Sequence, residues 1–187
     1  MKPVLTEADF TRAATAIGCS VAAIKAVCAV EAPRGGFLPD GQPTILFERH
    51  KFSQRTGGKF DKQAPDISNP KRGGYLGGAT EHGRLQKAAA LDRTAALESA
   101  SWGKFQIMGF NWKACGFTSV QAFINAMYES EGAQLDAFIG FVKSEGLADE
   151  LREHRWADFA RRYNGADYAV NRYDTKLAAA YAAAKGA

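Results

Sequence analysis

The side chains with the clearest chemical potential are carboxylates. Glu31 closes an apolar stretch, Ala22-Ala23-Ile24-Lys25-Ala26-Val27-Cys28-Ala29-Val30-Glu31, directly before Ala32-Pro33. Proline cannot continue a helix, so the acid falls on the last turn, where the helix carries partial negative charge. Both that charge and an apolar neighbourhood disfavour a carboxylate and raise its pKa. A carboxyl kept protonated near neutral pH is the general acid that glycosidic bond cleavage requires. Two further acids follow. Asp40 lies in an Asp40-Gly41 turn, and Glu48 ends the apolar run Ile45-Leu46-Phe47. Either could face Glu31 across a cleft, holding a water or stabilising an oxocarbenium-like transition state. The competing readings are ordinary ones: Asp before Gly is a common turn pair, and Glu48 could serve Arg49 or a helix start.

A second set is polar but uncharged. Ser101 and Gln106 lie in Ser101-Trp102-Gly103-Lys104-Phe105-Gln106-Ile107-Met108, and Tyr163 and Asn164 in Phe159-Ala160-Arg161-Arg162-Tyr163-Asn164-Gly165. Hydrogen-bonding groups inside apolar segments are either satisfied internally or turned to a ligand. Sugars, with hydroxyl edges and apolar ring faces, suit such a mixture.

These groups need a frame, and the pattern supplies one that is mostly helical. Thr6 with Asp9 reads as a capped start, opening a helix to about Ile17 with Gly18 as its stop. Ser20 caps a second helix to Glu31. Phe37-Leu38 and Thr44-Ile45-Leu46-Phe47, around Asp40-Gly41, predict a hairpin and the chain's β structure. A short helix is expected over 49–56, then an irregular Gly- and Pro-rich segment over 57–78. Helices are expected near 80–91, 93–99, 102–108, 119–128, 130–144, 147–152, 156–163 and 171–184.

Composition narrows the function classes. With 46% apolar and 24% charged residues, 187 residues suit one globular domain. The net charge of +4 comes from dispersed Lys and Arg. That favours approach to an acidic envelope and offers no clustered nucleic-acid face. Cys19, Cys28 and Cys115 lack metal-type spacing and read as small buried hydrophobes. His50, His82 and His154 form no H-E-x-x-H, which disfavours a zinc amidase. No metal and no cofactor is expected. The N-terminus lacks the apolar core and small-residue cleavage site of a signal peptide, and no apolar run reaches bilayer length.

Taken in order, Glu31, the Ser101-to-Met108 segment and Tyr163-Asn164-Gly165 resemble the three-part pattern of the lysozyme-like superfamily, shared by goose-type lysozymes and lytic transglycosylases. Ala29-Val30-Glu31-Ala32, Gly36-Phe37, the Gly41-to-Phe52 segment, Gly74-Tyr75 and Ser101 to Gly109 resemble more specifically the N-acetylmuramidase domain of bacteriophage endolysins. The likeness spans nearly the whole chain. It implies a helical lobe, a small hairpin lobe and a cleft between them. It implies a peptidoglycan substrate cut between N-acetylmuramic acid and N-acetylglucosamine. Glu31 matches the catalytic acid, Glu48 an acid at the cleft rim, Ser101 and Gln106 the sugar-site motif, and Tyr163 and Asn164 the cleft floor. Pro33-Arg34 departs from the family pattern, which has a small residue soon after the glutamate, and this bears on the second catalytic group. The resemblance further implies a monomeric single catalytic domain with no separate wall-binding domain, no membrane insertion, and passage from the host cytoplasm to the wall through holin pores. Two rival functions remain: a lytic transglycosylase, for which one acid suffices, and a non-catalytic peptidoglycan-binding or tail component.

Overall fold

The computed structural model describes residues 2–164 and 168–186, and they share one hydrophobic core. Helix α1 (Glu7–Ile17) starts at the expected capping box: Thr6 accepts from the Asp9 amide, and the Asp9 side chain answers at the Thr6 backbone. Gly18 ends it at φ 79°, a left-handed conformation that favours glycine. Helix α2 (Val21–Glu31) is capped by the Ser20 hydroxyl. Its Ala23, Ile24, Ala26, Val27 and Cys28 are buried, so it is a central helix.

After strand β1 (Ile45–Phe47) come helix α3 (Arg49–Arg55) and a long segment free of helix and strand. Helices α4 (Thr80–Leu91) and α5 (Arg93–Glu98) follow. The chain then forms β2 (Ala100–Trp102), β3 (Ile107–Met108) and a 3-10 turn at Gly109–Asn111. Helices α6 (Val120–Glu129), α7 (Glu131–Ser144), α8 (Ala148–Arg152), α9 (Trp156–Asn164) and α10 (Tyr173–Lys185) complete it. Helix α10 lies along α2 and against α9. Trp102, Phe47, Phe52, Phe123, Phe138 and Phe159 fill the interior.

Two local expectations are corrected. Residues 102–108 do not form a helix. Gly103 (φ 68°) and Gln106 (φ 49°) take left-handed conformations that break any helical run, and the segment turns back on itself as β2 and β3. The expected hairpin at 37–47 is reduced to one bridge between Phe37 and Pro43. Strand β1 pairs instead with β2, antiparallel, with Leu46 opposite Ser101 and Ile45 opposite Trp102. The result is a three-stranded sheet in the order β1-β2-β3. Burial goes with this choice: Phe47, Ala100 and Trp102 are all 0–1% exposed, and the pairing carries β1 and β2 through the core.

The cysteines are free thiols. Cys28 and Cys115 are buried, and burial pushes their pKa up to about 12. No single described helix is long and apolar enough to cross a membrane. Helices α1 and α2 would qualify jointly by length and composition, but they meet at a 109° bend and supply core residues.

Candidate active site

The end of α2 projects Glu31 into a hollow of about 270 Å³ with Pro33, Arg34, Lys104, Gln106 and Tyr173. A second hollow of about 200 Å³ shares Arg34, Lys104 and Gln106. It runs on past Thr44, Ile45, Leu46 and Gly103 to Gly77 and Gly78. Together they form one groove between the α2–α10 helices and the sheet. Its walls carry two cations, Arg34 and Lys104. Among the described residues its one carboxyl is that of Glu31.

The Glu31 carboxyl is partly buried and receives a single recorded side-chain hydrogen bond, Asn164 Nδ2 to Oε1 at 2.9 Å. Burial is the largest influence on it and raises its pKa. The Asn164 bond and the more distant Lys176 ammonium oppose that rise without cancelling it. Lys176 stands 5.5 Å over the ring of Tyr173, so α10 brings both an aromatic wall and a positive charge to this end of α2. A protonated carboxyl at the base of a groove, with one oxygen held by an amide, can donate its proton to a leaving oxygen.

The other motif residues build the groove more than they line it. Ser101 is buried at 6% exposure and donates to Gln106 Oε1 at 2.8 Å. Gln106 Nε2 donates to Gly103 O at 2.9 Å and Thr44 O at 3.3 Å. Its amide therefore ties the β2–β3 turn to the strand entering β1, while its outer face looks into the groove. The Tyr163 ring stacks on Phe159 and meets Phe138 edge-on, with centroids 5.5 Å apart in each case. Burial, with the Glu31 charge nearby, pushes its phenol up, so it stays neutral. It fixes the end of α9, from which Asn164 reaches Glu31. Gly165 of that motif lies outside the described residues.

Asp40 and Glu48 share no hydrogen bond with Glu31 and line neither half of its groove. Asp40 is exposed in its turn, where it accepts from the Gln42 backbone and side chain at 3.0 and 2.9 Å. Those bonds, the backbone one foremost, lower its pKa. It lines a different hollow. Glu48 accepts from the Tyr75 hydroxyl at 2.7 Å and has His50 Nδ1 at 3.1 Å, without hydrogen-bond alignment. It closes a loop and lines neither half of the groove.

Several residues that position the groove give no local sign in the sequence. Glu131, at the start of α7, accepts from the Gly36 amide at 2.7 Å and the Leu5 amide at 3.2 Å, with Lys104 Nζ at 3.6 Å. Gln134, one turn on, accepts from the Lys104 amide at 2.7 Å and donates to Met127 O at 2.9 Å. A Cβ at Gly103 would lie 2.7 Å from Gln134 Cδ, so glycine is required for this close approach as well as for its φ. Lys104 Nζ donates to the Arg34 carbonyl at 3.0 Å, tying the segment that follows Glu31 to the β2–β3 turn. The sequence signal for Lys104 was its place inside the Ser101-to-Gln106 motif. Tyr173 and Lys176 sit in an alanine-rich helix that reads as plain surface.

This geometry has close relatives. The family model for N-acetylmuramidase matches residues 20–185. The endolysin of Enterobacteria phage PRD1 is 28% identical over 103 residues, covering 52% of this chain and 68% of that protein. The crystal structure of the Burkholderia AP3 phage endolysin superposes with a TM-score of 0.94 at 46% identity, over 98% of this chain and 73% of that one. The match runs from the cap of α2 to the end of α10 and includes every wall of the groove around Glu31. The chain belongs to the N-acetylmuramidase family and is a glycoside hydrolase acting on peptidoglycan.

Proposed function

We propose that Glu31 is the general acid of this hydrolase, protonating the oxygen between N-acetylmuramic acid and N-acetylglucosamine, and that the protein serves lysis of a phage host cell. The endolysin relatives support the second part. The observation that carries the first is the state of the Glu31 carboxyl: partly buried at the base of the groove, held by one amide, with its pKa raised by burial. Asn164 fixes the acid's orientation. Ser101 and Gln106 hold the turn that forms the opposite wall, and Arg34, Lys104 and Tyr173 face the glycan. Proton transfer by such a positioned acid is typically worth ~10²–10⁴ in rate.

Asp40 and Glu48 take no part in this reading. With one carboxyl among the described groove residues, a water that enters beside the departing sugar completes the hydrolysis without a covalent partner. The same economy of acids suits ring closure by the muramyl 6-hydroxyl, the transglycosylase outcome. Mass spectrometry of digested walls separates the two. Reducing muramic ends are expected, and 1,6-anhydro ends would replace hydrolysis by transglycosylation. Binding to walls with no release of fragments would leave only the non-catalytic reading.

A further inference from the structure

A hollow of the described protein lies outside the catalytic groove. It holds about 640 Å³, within the range of sites that take small peptides and ligands. One side is the N-terminal strap, Lys2 and Val4. The other is the 35–41 excursion, through Gly35, Phe37, Leu38 and Asp40. Its walls are mostly apolar. Val4 is 62% exposed, one of few large hydrophobic side chains left so open. Both walls are fixed. Lys2 Nζ donates to the Tyr128 carbonyl and lies 5.9 Å over the Phe37 ring. Glu131 accepts from the amides of Leu5 and Gly36, so one buried carboxylate ties strap and excursion together. The 38–42 turn is closed by the Leu38 amide on Gln42 O at 2.8 Å.

Gly35 belongs to this hollow and to the catalytic groove alike. The two therefore meet at a residue with no side chain, one position after Arg34. A branched depression suits a branched substrate. In peptidoglycan the branch is the stem peptide, which leaves the glycan at the lactyl group of muramic acid. Its first residues carry small apolar side chains, and further along come carboxylates and the free amine of a diamino acid. The hollow offers apolar walls from Val4, Phe37 and Leu38, an ammonium at Lys2 and carboxylates at Asp40 and Glu131.

We propose that the hollow between the N-terminal strap and the 35–41 excursion is a stem-peptide site, which selects muramic residues that bear peptide. This gives Asp40 a binding role in place of a catalytic one. The proposal rests on the glycan being cut in the Glu31 groove, since the branch is measured from there.

The test compares two substrates: intact peptidoglycan, and the same glycan stripped of stems by an amidase. Val4→Ser removes an exposed apolar side chain and should leave the thermal midpoint unchanged. On intact walls its KM should rise about threefold to tenfold, the worth of one apolar side chain's contact, with kcat held. On stripped glycan the loss should be absent, so the ratio of kcat/KM for intact over stripped substrate falls by that factor. Asp40→Asn keeps the turn acceptor and should lower the same ratio. An equal loss on both substrates, or none on either, would overturn the proposal. Titration of free stem tetrapeptide into the protein reads the site without catalysis. Amide shifts are expected at Gly35 and Leu38, and their absence up to millimolar peptide overturns the site. That titration does not involve Glu31, so failure of the stem site and failure of the catalytic assignment are read separately.

Discussion

Two glutamates removed in different degrees from solvent end with opposite affinities for a proton. Glu81, on α4, is fully buried, yet its carboxylate accepts from the amides of Phe47, Leu76 and Gly77 at 3.0, 2.7 and 3.0 Å and pairs with Arg84 at 2.8 Å. Burial pushes its pKa up, but the three amides and the guanidinium together outweigh that and hold it low. Glu31 is half-buried, has one amide donor, and its pKa rises. Burial alone therefore does not make an acid. The number of donors aimed at the carboxylate decides the sign. Glu81 spends its charge on structure: it holds the Leu76–Gly77 loop against β1 and so sets the far end of the groove. Glu31 is left under-solvated, and that shortage is its proton-donating capacity.

The sharpest way to break the contrast is to remove each carboxyl in turn. Glu31→Gln should lower the rate of wall lysis by about three orders of magnitude, within the range set by general acid catalysis. Its thermal midpoint at neutral pH should be no lower than that of the parent. The sign follows from linkage. A folded-state pKa above the unfolded one gives stability below the ordinary glutamate range, lost as pH rises through the folded value. Above its raised folded value the charged carboxylate is thus a burden that glutamine removes. A turbidity assay with a melting curve reads both.

Glu81→Gln should do the reverse. It leaves Arg84 without its counter-charge, so the protein should lose about 3 kcal/mol, the usual cost of breaking a buried pair. Denaturant unfolding measures this. The pH dependence is opposite too. The parent's Glu81 contribution is present above the ordinary glutamate range and lost as pH falls through the lowered folded value. The stability gap between parent and variant should therefore close on acidification. A gap that stays constant down to acid pH would remove Glu81 from the contrast.

Smaller effects sharpen the account of Glu31. Asn164→Ala removes its one amide donor, which raises its pKa further, so the alkaline limb of kcat/KM should move to higher pH. The rate at the optimum should also fall, roughly tenfold, because the acid loses its orientation. Lys176→Met removes a more distant positive charge. It should shift the same limb in the same direction by less, with the optimum rate nearly kept. A shift to lower pH in either variant would contradict the assigned causes.

How much of this was legible before the fold was known differs by element. The start of α1 and the start and end of α2 were, because capping and helix-stopping are local: Thr6 with Asp9, Gly18, Ser20 and Pro33 act within a few residues. Glu31 inherited that legibility by sitting at a helix end. The sheet was not. Trp102 to Met108 is apolar enough for a helix, and only the left-handed Gly103 and Gln106 prevent it. The partner that pulls Ser101 into a strand lies 55 residues earlier, at Leu46, beyond any local pattern. For the same reason Asp40 and Glu48 looked like candidates. Both follow Glu31 closely in sequence, but their directions are set by Gln42 in one case and by Tyr75 in the other. Tyr173 and Lys176 reach Glu31 only because α10 packs along α2, a contact between chain segments far apart.

The most direct test of the central claim is the protonation of Glu31 itself. Side-chain carboxyl NMR of the free enzyme, with Glu31→Gln as the assignment control, should give a titration midpoint above the ordinary glutamate value of 4.5 and matching the alkaline limb of kcat/KM. A midpoint at or below that value, or one unrelated to that limb, would contradict Glu31 as the proton donor.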